Sequence, residues 1–188
     1  MDALYGKRYF SVFDLLKAYW QIEVEPASRK HLAFITPDGL YEWTRMPFGA
    51  AGAPATQQRM IDKLLAGLKW VCAIAYLDDI VVFSDTFDEH LAHLEALFSR
   101  CASAQLQLQP IKSTLCQKET HYLGFIVSAR GVCPDPAKTD PIAKFPVPSD
   151  KKGVRRFLGI GSYYRRFIRN YARIAQPLQL LISEDVHI

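Results

Sequence analysis

Three carboxylates sit where metal-assisted chemistry is simplest to build. Asp14 closes a short apolar stretch, residues 9–13, and Asp78-Asp79 fall between two apolar runs, residues 71–76 and 80–83. Short bulky runs bounded by polar residues read as strands, so each acid is delivered at a strand end or a turn. If those strands are neighbours, the acids converge on one sheet edge. Anions held that close raise one another's pKa, and the arrangement is costly unless a cation fills it. Hard carboxylate oxygens favour Mg²⁺, which keeps water and substrate phosphate in its shell. Two such ions roughly 3.5–4 Å apart can activate a 3′-hydroxyl and stabilise a leaving pyrophosphate oxygen. Asp-Asp is also ordinary turn chemistry. The bulky residues on both sides are what mark this turn as the tip of a buried hairpin.

Other reactive side chains point to less. His90 and His93 lie one helical turn apart, with no cysteine or acid at ligand spacing, which argues against zinc. Cys72, Cys101, Cys116 and Cys133 contain no C-x-x-C pair. A zinc ribbon is therefore not expected, and reduced thiols in an intracellular protein are. The net charge of +4 is mild, yet nine of the 23 Lys and Arg lie between Lys144 and Arg173 against the single acid Asp150. The C-terminal end is a basic block on a nearly neutral body.

The elements that must position these groups follow from composition and periodicity. The 188 residues are 49% apolar and 22% charged, which excludes intrinsic disorder and suffices for one domain or two small lobes. The longest apolar run, residues 70–77, is far short of the roughly 20 residues that cross a bilayer. Asp2, Lys7 and Arg8 stand where a hydrophobic leader would begin, so an intracellular protein of cytoplasm or nucleus is expected, not a secreted or membrane one.

Residues 32–35 and 40–44 flank Thr36-Pro37-Asp38-Gly39, whose turn chemistry predicts a hairpin. Pro54 suits the first turn of a helix that Ile61, Leu64, Leu65 and Leu68 carry to about Lys69. Thr86 with Glu89 forms a capping box, opening a helix with the stripe Phe87, Leu91, Leu94, Leu97, Phe98 and Cys101. Residues 122–127 read as one strand that turns near Ala129-Arg130-Gly131. Pro134, Pro136, Pro141, Pro146 and Pro148 mark a hinge, and beyond it the helices break at Gly159 and Gly161. Arg165, Arg169 and Arg173 recur every four residues, which sets them on one helical face with Tyr164, Phe167, Ile168 and Tyr171 largely on the other. Mixed strands and helices followed by helices make an α+β fold.

In context these residues resemble a known family. Tyr76-Leu77-Asp78-Asp79 looks like the Y-x-D-D signature of reverse transcriptases. Phe10-Ser11-Val12-Phe13-Asp14-Leu15 with Ala18-Tyr19-Trp20-Gln21 is similar to that family's first catalytic motif. Arg45-Met46-Pro47-Phe48-Gly49, Ala53-Pro54-Ala55-Thr56, Tyr122-Leu123-Gly124 and Phe157-Leu158-Gly159 resemble the gypsy-type LTR retrotransposon branch, in the family's order over almost the whole chain.

The resemblance implies a right-hand polymerase palm, an antiparallel sheet with helices on one face. Residues 1–134 would form the palm with partial fingers at about 25–46, and residues 135–188 a partial helical thumb or connection-like segment. Asp14, Asp78 and Asp79 would be the catalytic acids that hold two Mg²⁺ ions, with the Leu15 carbonyl as a further ligand and Mn²⁺ as the alternative ion. Tyr19 would gate against a ribonucleotide's 2′-hydroxyl. Phe48, Gly49 and Tyr76 would line the nucleotide site, and Lys112 would act as the acid for departing pyrophosphate. Gln58 and a primer grip at Tyr122, Leu123 and Gly124 would meet primer or template, with Arg165, Arg169 and Arg173 on phosphates.

Two departures stand out. After Gly49 the family usually reads Leu-x-Asn-Ala-Pro-Ala-Thr-Phe-Gln, whereas here it is Ala50-Ala51-Gly52-Ala53-Pro54-Ala55-Thr56-Gln57-Gln58. Gly52 and Gln57 are expected to lighten packing under the nucleotide site. The chain also begins just before the Asp14 motif, so the fingers segment that holds the triphosphate is expected to be missing. The implied activity is RNA-directed DNA polymerisation from dNTPs on an RNA or DNA template with a primer. Fingers and ribonuclease H regions of a polyprotein are the further candidate partners. The alternative is a catalytically dead, decayed or domesticated nucleic-acid-binding module.

Overall fold

The computed structural model describes residues 2–183. The chain divides into two compact units, one made of residues up to 123 with 127–131, the other of 124–126 and 132 onward. The first unit runs β1 (Tyr9–Leu15), a short helix α1 (Pro26–Arg29), the hairpin β2 (Phe34–Thr36) and β3 (Gly39–Tyr41), and α2 (Ala53–Leu64). It continues with β4 (Ala73–Tyr76), β5 (Asp79–Ser84), α3 (Phe87–Ser103), β6 (Leu108–Gln117) and β7 (Glu119–Tyr122).

Four of these strands form an antiparallel sheet in the order β4-β5-β1-β6. Alternation along each strand sets its two faces. Phe13, Leu15, Ile80 and Val82 pack with Ile61 and Leu65 of α2 and with Leu94 and Leu97 of α3. Phe10, Val81 and Phe83 are buried as well and alternate to the opposite face, which Asp14 and Asp79 share with them. The helices therefore cover one face of the sheet, and the acids project from the other.

The α3 capping box forms as expected. The Glu89 N–H donates to Thr86 Oγ1 and the Thr86 N–H to Glu89 Oε2, each at 3.3 Å. The buried face of α3 is not the expected stripe, however. Phe87, Leu91 and Phe98 are exposed, while His90 joins Leu94, Leu97 and Cys101 in the interior. The His90 ring is spanned by two hydroxyls, with Nε2 2.8 Å from Ser11 Oγ and Nδ1 3.0 Å from Ser84 Oγ. Ser11 Oγ accepts the Cys116 N–H, so its own proton is available to His90. Ser84 Oγ also lies 2.7 Å from His93 Nδ1. Burial, reinforced by His93, pushes the His90 pKa below the usual histidine range. A polar residue can thus occupy a core position because every ring nitrogen finds a partner.

Other expectations are corrected. Helix α2 ends at Leu64, and Gly67 and Trp70, both at positive φ, turn the chain so that β4 begins at Ala73. Residues 122–127 are not one strand. Chain direction reverses at Leu123 (φ 49°) and Gly124 (φ 75°), the left-handed pair that a tight hairpin requires, and β8 (Phe125–Ser128) follows. With β9 (Gly131–Pro134), the strands β7, β8 and β9 make a three-stranded sheet. Strand β6 is signalled by no alternation. It is an edge strand whose register against β1 shifts twice, and Ile111 within it is exposed.

In the second unit the proline-rich stretch contains a helix, α4 (Pro136–Ala143), whose first turn is capped by Asp135 accepting the Ala137 N–H at 2.9 Å. Helix α5 (Lys151–Tyr163) runs unbroken through Gly159 and Gly161. A Cβ at Gly161 would lie 3.4 Å from the Tyr171 hydroxyl, at contact distance, and one at Gly159 would meet nothing within 4 Å. Phe125 anchors this unit against the rings of Tyr163, Tyr164 and Phe167. A 3-10 turn at Arg165–Phe167 and Asn170 at φ 58° then interrupt the chain before α6 (Tyr171–Ser183). Arg165, Arg169 and Arg173 are exposed, but the expected single helical face does not exist. Among the described residues no helix is long and apolar enough to cross a membrane, and the four cysteines are free.

Leu97 is fully buried and Phe98 is 41% exposed. Leu97→Ala should therefore cost about 2–5 kcal/mol and Phe98→Ala clearly less, read from urea denaturation midpoints. Equal losses would contradict the observed orientation of α3.

Candidate active site

The register of the sheet assembles the acids. Asp14 on β1 stands directly opposite Asp79 on β5. Tyr76 pairs with Asp79 across the β4–β5 hairpin, which leaves Leu77-Asp78 as its two-residue loop. Cross-strand partners have Cβ atoms about 4.5–5.5 Å apart, and like charges so placed repel. Leu77 takes φ 52°, an unfavourable conformation for a residue with a Cβ. Three bonds hold the turn there. The Leu15 N–H donates to the Asp78 carbonyl at 3.1 Å, the Leu77 N–H donates to Gln58 Oε1 at 2.9 Å, and Gln57 Nε2 donates to Asp78 Oδ1.

The electrostatics follow from that packing. Burial, with the charges of Asp14 and Asp78 behind it, pushes the Asp79 carboxyl above the usual carboxylate range, and Lys112 offsets only part of this. Lys112 Nζ lies 3.4 Å from Asp14 Oδ2. The Tyr122 hydroxyl donates to the Asp79 carbonyl at 3.5 Å, and burial followed by the Asp79 charge raises its pKa. Among the described residues no three His, Cys, Asp or Glu side chains are gathered as a closed metal cluster. Asp14 and Asp78 instead face protein donors, Lys112 and Gln57. The donor set nevertheless fits a hard divalent cation, because it consists of carboxylates on adjacent strands whose mutual repulsion such an ion relieves.

A second group forms beside the first. Tyr19 meets Phe48 edge-on at 5.3 Å between ring centroids, and Trp20 meets Phe48 at 5.8 Å. Backbone bonds from Val24 to Thr44 and from Met46 to Ile22 bring the two segments together. Phe48 is 65% exposed, and Gly49 turns the chain at φ 87°. Gly52 borders a cavity of about 640 Å³ with Ile22, Val24, Met46 and Ala50, and a Cβ added at Gly52 would meet nothing within 4 Å.

The expectation that Gln57 lightens packing is corrected, because Gln57 is fully buried and holds Asp78. Sequence reasoning missed that role. Its signal was a polar residue within the i, i+4 buried series Ala53, Gln57 and Ile61. Gln58, expected near nucleic acid, spends its amide oxygen on Leu77 and its nitrogen on Asp62.

Of the residues singled out, Asp14, Leu15, Asp78, Asp79, Lys112, Gln58 and Tyr122 thus meet around one turn, Tyr76 flanks it, and Tyr19 meets Phe48, next to Gly49, across two joined segments. Gly124, Arg165, Arg169 and Arg173 belong to the second unit. There the Gly124 carbonyl accepts the Asp135 N–H at 3.2 Å and the Tyr164 hydroxyl at 3.4 Å.

Comparison with known proteins shows the family and the fold. Residues 1–127 match the family described as reverse transcriptase (RNA-dependent DNA polymerase). The whole chain is 43% identical to part of the retrovirus-related Pol polyprotein from transposon 297 of Drosophila melanogaster, and spans 18% of that protein. Over 96% of its length it is 37% identical to the enzymatic polyprotein of Cauliflower mosaic virus (strain NY8153), of which it spans 27%. Among solved structures, the foamy viral protease-reverse transcriptase dRH in complex with double-stranded DNA matches with a TM-score of 0.86 at 29% identity, over 94% of this chain and 31% of that one. The foamy viral protease-reverse transcriptase in complex with an RNA/DNA hybrid matches with a TM-score of 0.82 at 30% identity, over 94% and 24% of the two chains.

A carboxyl with a raised folded-state pKa binds its proton more tightly in the native than in the unfolded state. Its contribution to stability is complete below the ordinary carboxylate value and is lost as pH rises through the folded-state value. Asp79→Asn should therefore be more stable than wild type at pH 7 in chelator, and the gap should close as pH falls towards about 4. Urea midpoints across that range decide it. A gap that does not change with pH would remove the cost of ionising Asp79, from burial and from its neighbours' charges, as its cause.

Proposed function

Because the chain belongs to the reverse transcriptase family, in the gypsy-type LTR retrotransposon branch, we propose that it carries the catalytic palm of an RNA-directed DNA polymerase. The reaction joins a dNTP to a primer 3′-hydroxyl on an RNA or DNA template. The observation that carries this reading is the cross-strand pair Asp14 and Asp79 with Asp78 at the hairpin tip. The palm with partial fingers at about 25–46 is assigned to residues 1–134 and the thumb-like segment to residues 135–188, of which residue 1 and residues 184–188 lie outside the described residues.

The family generally uses divalent metal ions. Asp14, Asp78 and the Leu15 carbonyl would hold them, Mg²⁺ first and Mn²⁺ as alternative, with Asp79 the third acid of the set. Bound there, the ions supply the charge that activates a 3′-hydroxyl and stabilises departing pyrophosphate. The chain's own groups do the rest by position, since no protein nucleophile is needed. Lys112 brings an exposed ammonium within 3.4 Å of Asp14, a source of a proton for the leaving group. Tyr19 is braced by Phe48, so a rigid ring excludes the extra oxygen of a ribonucleotide. Phe48, Gly49 and Tyr76 line the nucleotide site.

Gln58 acts near the template through the turn it holds. Tyr122, Leu123 and Gly124 form the primer grip, and Arg165, Arg169 and Arg173 contact phosphates. The neighbours solved with double-stranded DNA and with an RNA/DNA hybrid support a nucleic-acid template as partner. Fingers and ribonuclease H regions of a polyprotein are further partners.

Primer extension on an RNA template with Mg²⁺ and dNTPs tests the reading. Wild type should extend, and Asp78→Asn should fall at least about 100-fold, the scale on which loss of one charge-stabilising group is felt. Equal extension by both would refute the assignment. Absence of extension with retained primer–template binding, its affinity falling by about 0.9 log units per log unit of salt for each phosphate contact, would favour the binding-module reading.

A further inference from the structure

The residue under the catalytic turn is chemically out of place. Helix α2 buries one residue per turn, Ala53, Gln57 and Ile61, and such a series is normally apolar throughout. Gln57 has no exposed surface, yet its amide sits beside a carboxylate. Nε2 donates to Asp78 Oδ1, while Oε1 is buried with no hydrogen-bond partner among the described residues. The assignment of nitrogen and oxygen follows from chemistry. Turning the amide over would set its oxygen against an ionised carboxylate oxygen, acceptor against acceptor. One orientation is thus enforced, and the fold tolerates a buried carbonyl without a protein partner among the described residues to keep an N–H on Asp78.

We propose that Gln57 is a positioning residue that orients the Asp78 carboxylate for a divalent cation. This deepens the preceding reading of Asp78 and rests on it. A carboxylate has two oxygens and about four acceptor sites, so a bond at Oδ1 leaves Oδ2 for an ion. The same bond removes the free rotation that a hydrocarbon at position 57 would permit. The following residue completes the restraint, since Gln58 Oε1 accepts the Leu77 N–H at 2.9 Å. Consecutive glutamines of one helix therefore fix the backbone and the side chain of the same two-residue loop. The family pattern places Phe at position 57. A phenyl ring has no N–H to give, whereas the Gln57 amide donates one to Asp78. Hydrogen-bonded partners behind metal ligands commonly change metal affinity about 10–100-fold.

The test is Mn²⁺ binding to the 188-residue chain, followed by the loss of the free-ion electron paramagnetic resonance signal, with metal-free melting temperature as the second readout. Wild type should bind Mn²⁺ and Asp78→Asn should not. Gln57→Leu and Gln57→Met, similar in volume but without the donor, should bind about 10-fold more weakly. Their melting temperatures should stay equal or rise, because the buried unpaired carbonyl is gone. Unchanged or tighter binding in both variants would overturn the positioning role while leaving Asp78 as a ligand. Weaker binding accompanied by a lowered melting temperature in both variants would make Gln57 merely structural. Failure of wild type itself to bind would remove the metal-holding role of Asp78, and this inference with it.

Discussion

Two like charges facing each other across a pair of antiparallel strands are the constraint on which the first unit depends. Asp14 and Asp79 are register partners, and burial, with their repulsion behind it, keeps the Asp79 carboxyl from ionising as readily as an ordinary one. Such a pair separates unless the strands beneath it are held by something stronger. Here the alternation that turns the acids to one face turns Phe13, Leu15, Ile80 and Val82 to the other, where α2 and α3 cover them. The hydrophobic core therefore opposes the repulsion at the sheet edge, and a sheet buried on its helical side cannot relieve it by slipping register. A slip of one residue would carry those apolar side chains out of the core.

Polar groups inside that core are arranged to the same end. His90 bridges Ser11 on β1 and Ser84 on β5, so it joins the two acid-bearing strands from the helical side. Gln57 and Gln58 reach from α2 to the Leu77-Asp78 loop. The loop can keep a leucine in a left-handed conformation because its N–H and its neighbour's carboxylate are both engaged. Strain at this turn is consistent with a functional site, since such conformations persist only where the surroundings enforce them.

Much of this was legible in the chain before folding. Asp14 at a strand end, Asp78-Asp79 between apolar strands, the Thr36–Gly39 turn and the Thr86–Glu89 capping box are local patterns, and each has a local physical cause. Where reading failed, the cause was tertiary. Strand β6 has no alternation because it is an edge strand with shifts in register, so its pairing with β1 rather than its own pattern defines it. The Leu123-Gly124 turn was hidden because leucine rarely takes positive φ. Helix α5 passes through Gly159 and Gly161 because a glycine weakens a helix without ending it, and the turns on either side stay bonded. The arginine series fails because Asn170 breaks the helix on which the four-residue spacing was counted.

Residue types in order and periodicities of a few residues were enough to show the family and the α+β class, and to single out three acids as candidates, because these are properties of the chain before it folds. Folding in three dimensions was needed to set Asp14 opposite Asp79 across the sheet, to turn His90 rather than Phe98 into the core, and to bring the Gln57 amide onto Asp78. Hydrogen bonds between residues 21 apart, such as Gln57 and Asp78, or 79 apart, such as Ser11 and His90, have no local signature. They arise when burial brings distant polar groups into a place without water, where each must find a partner or go unpaired.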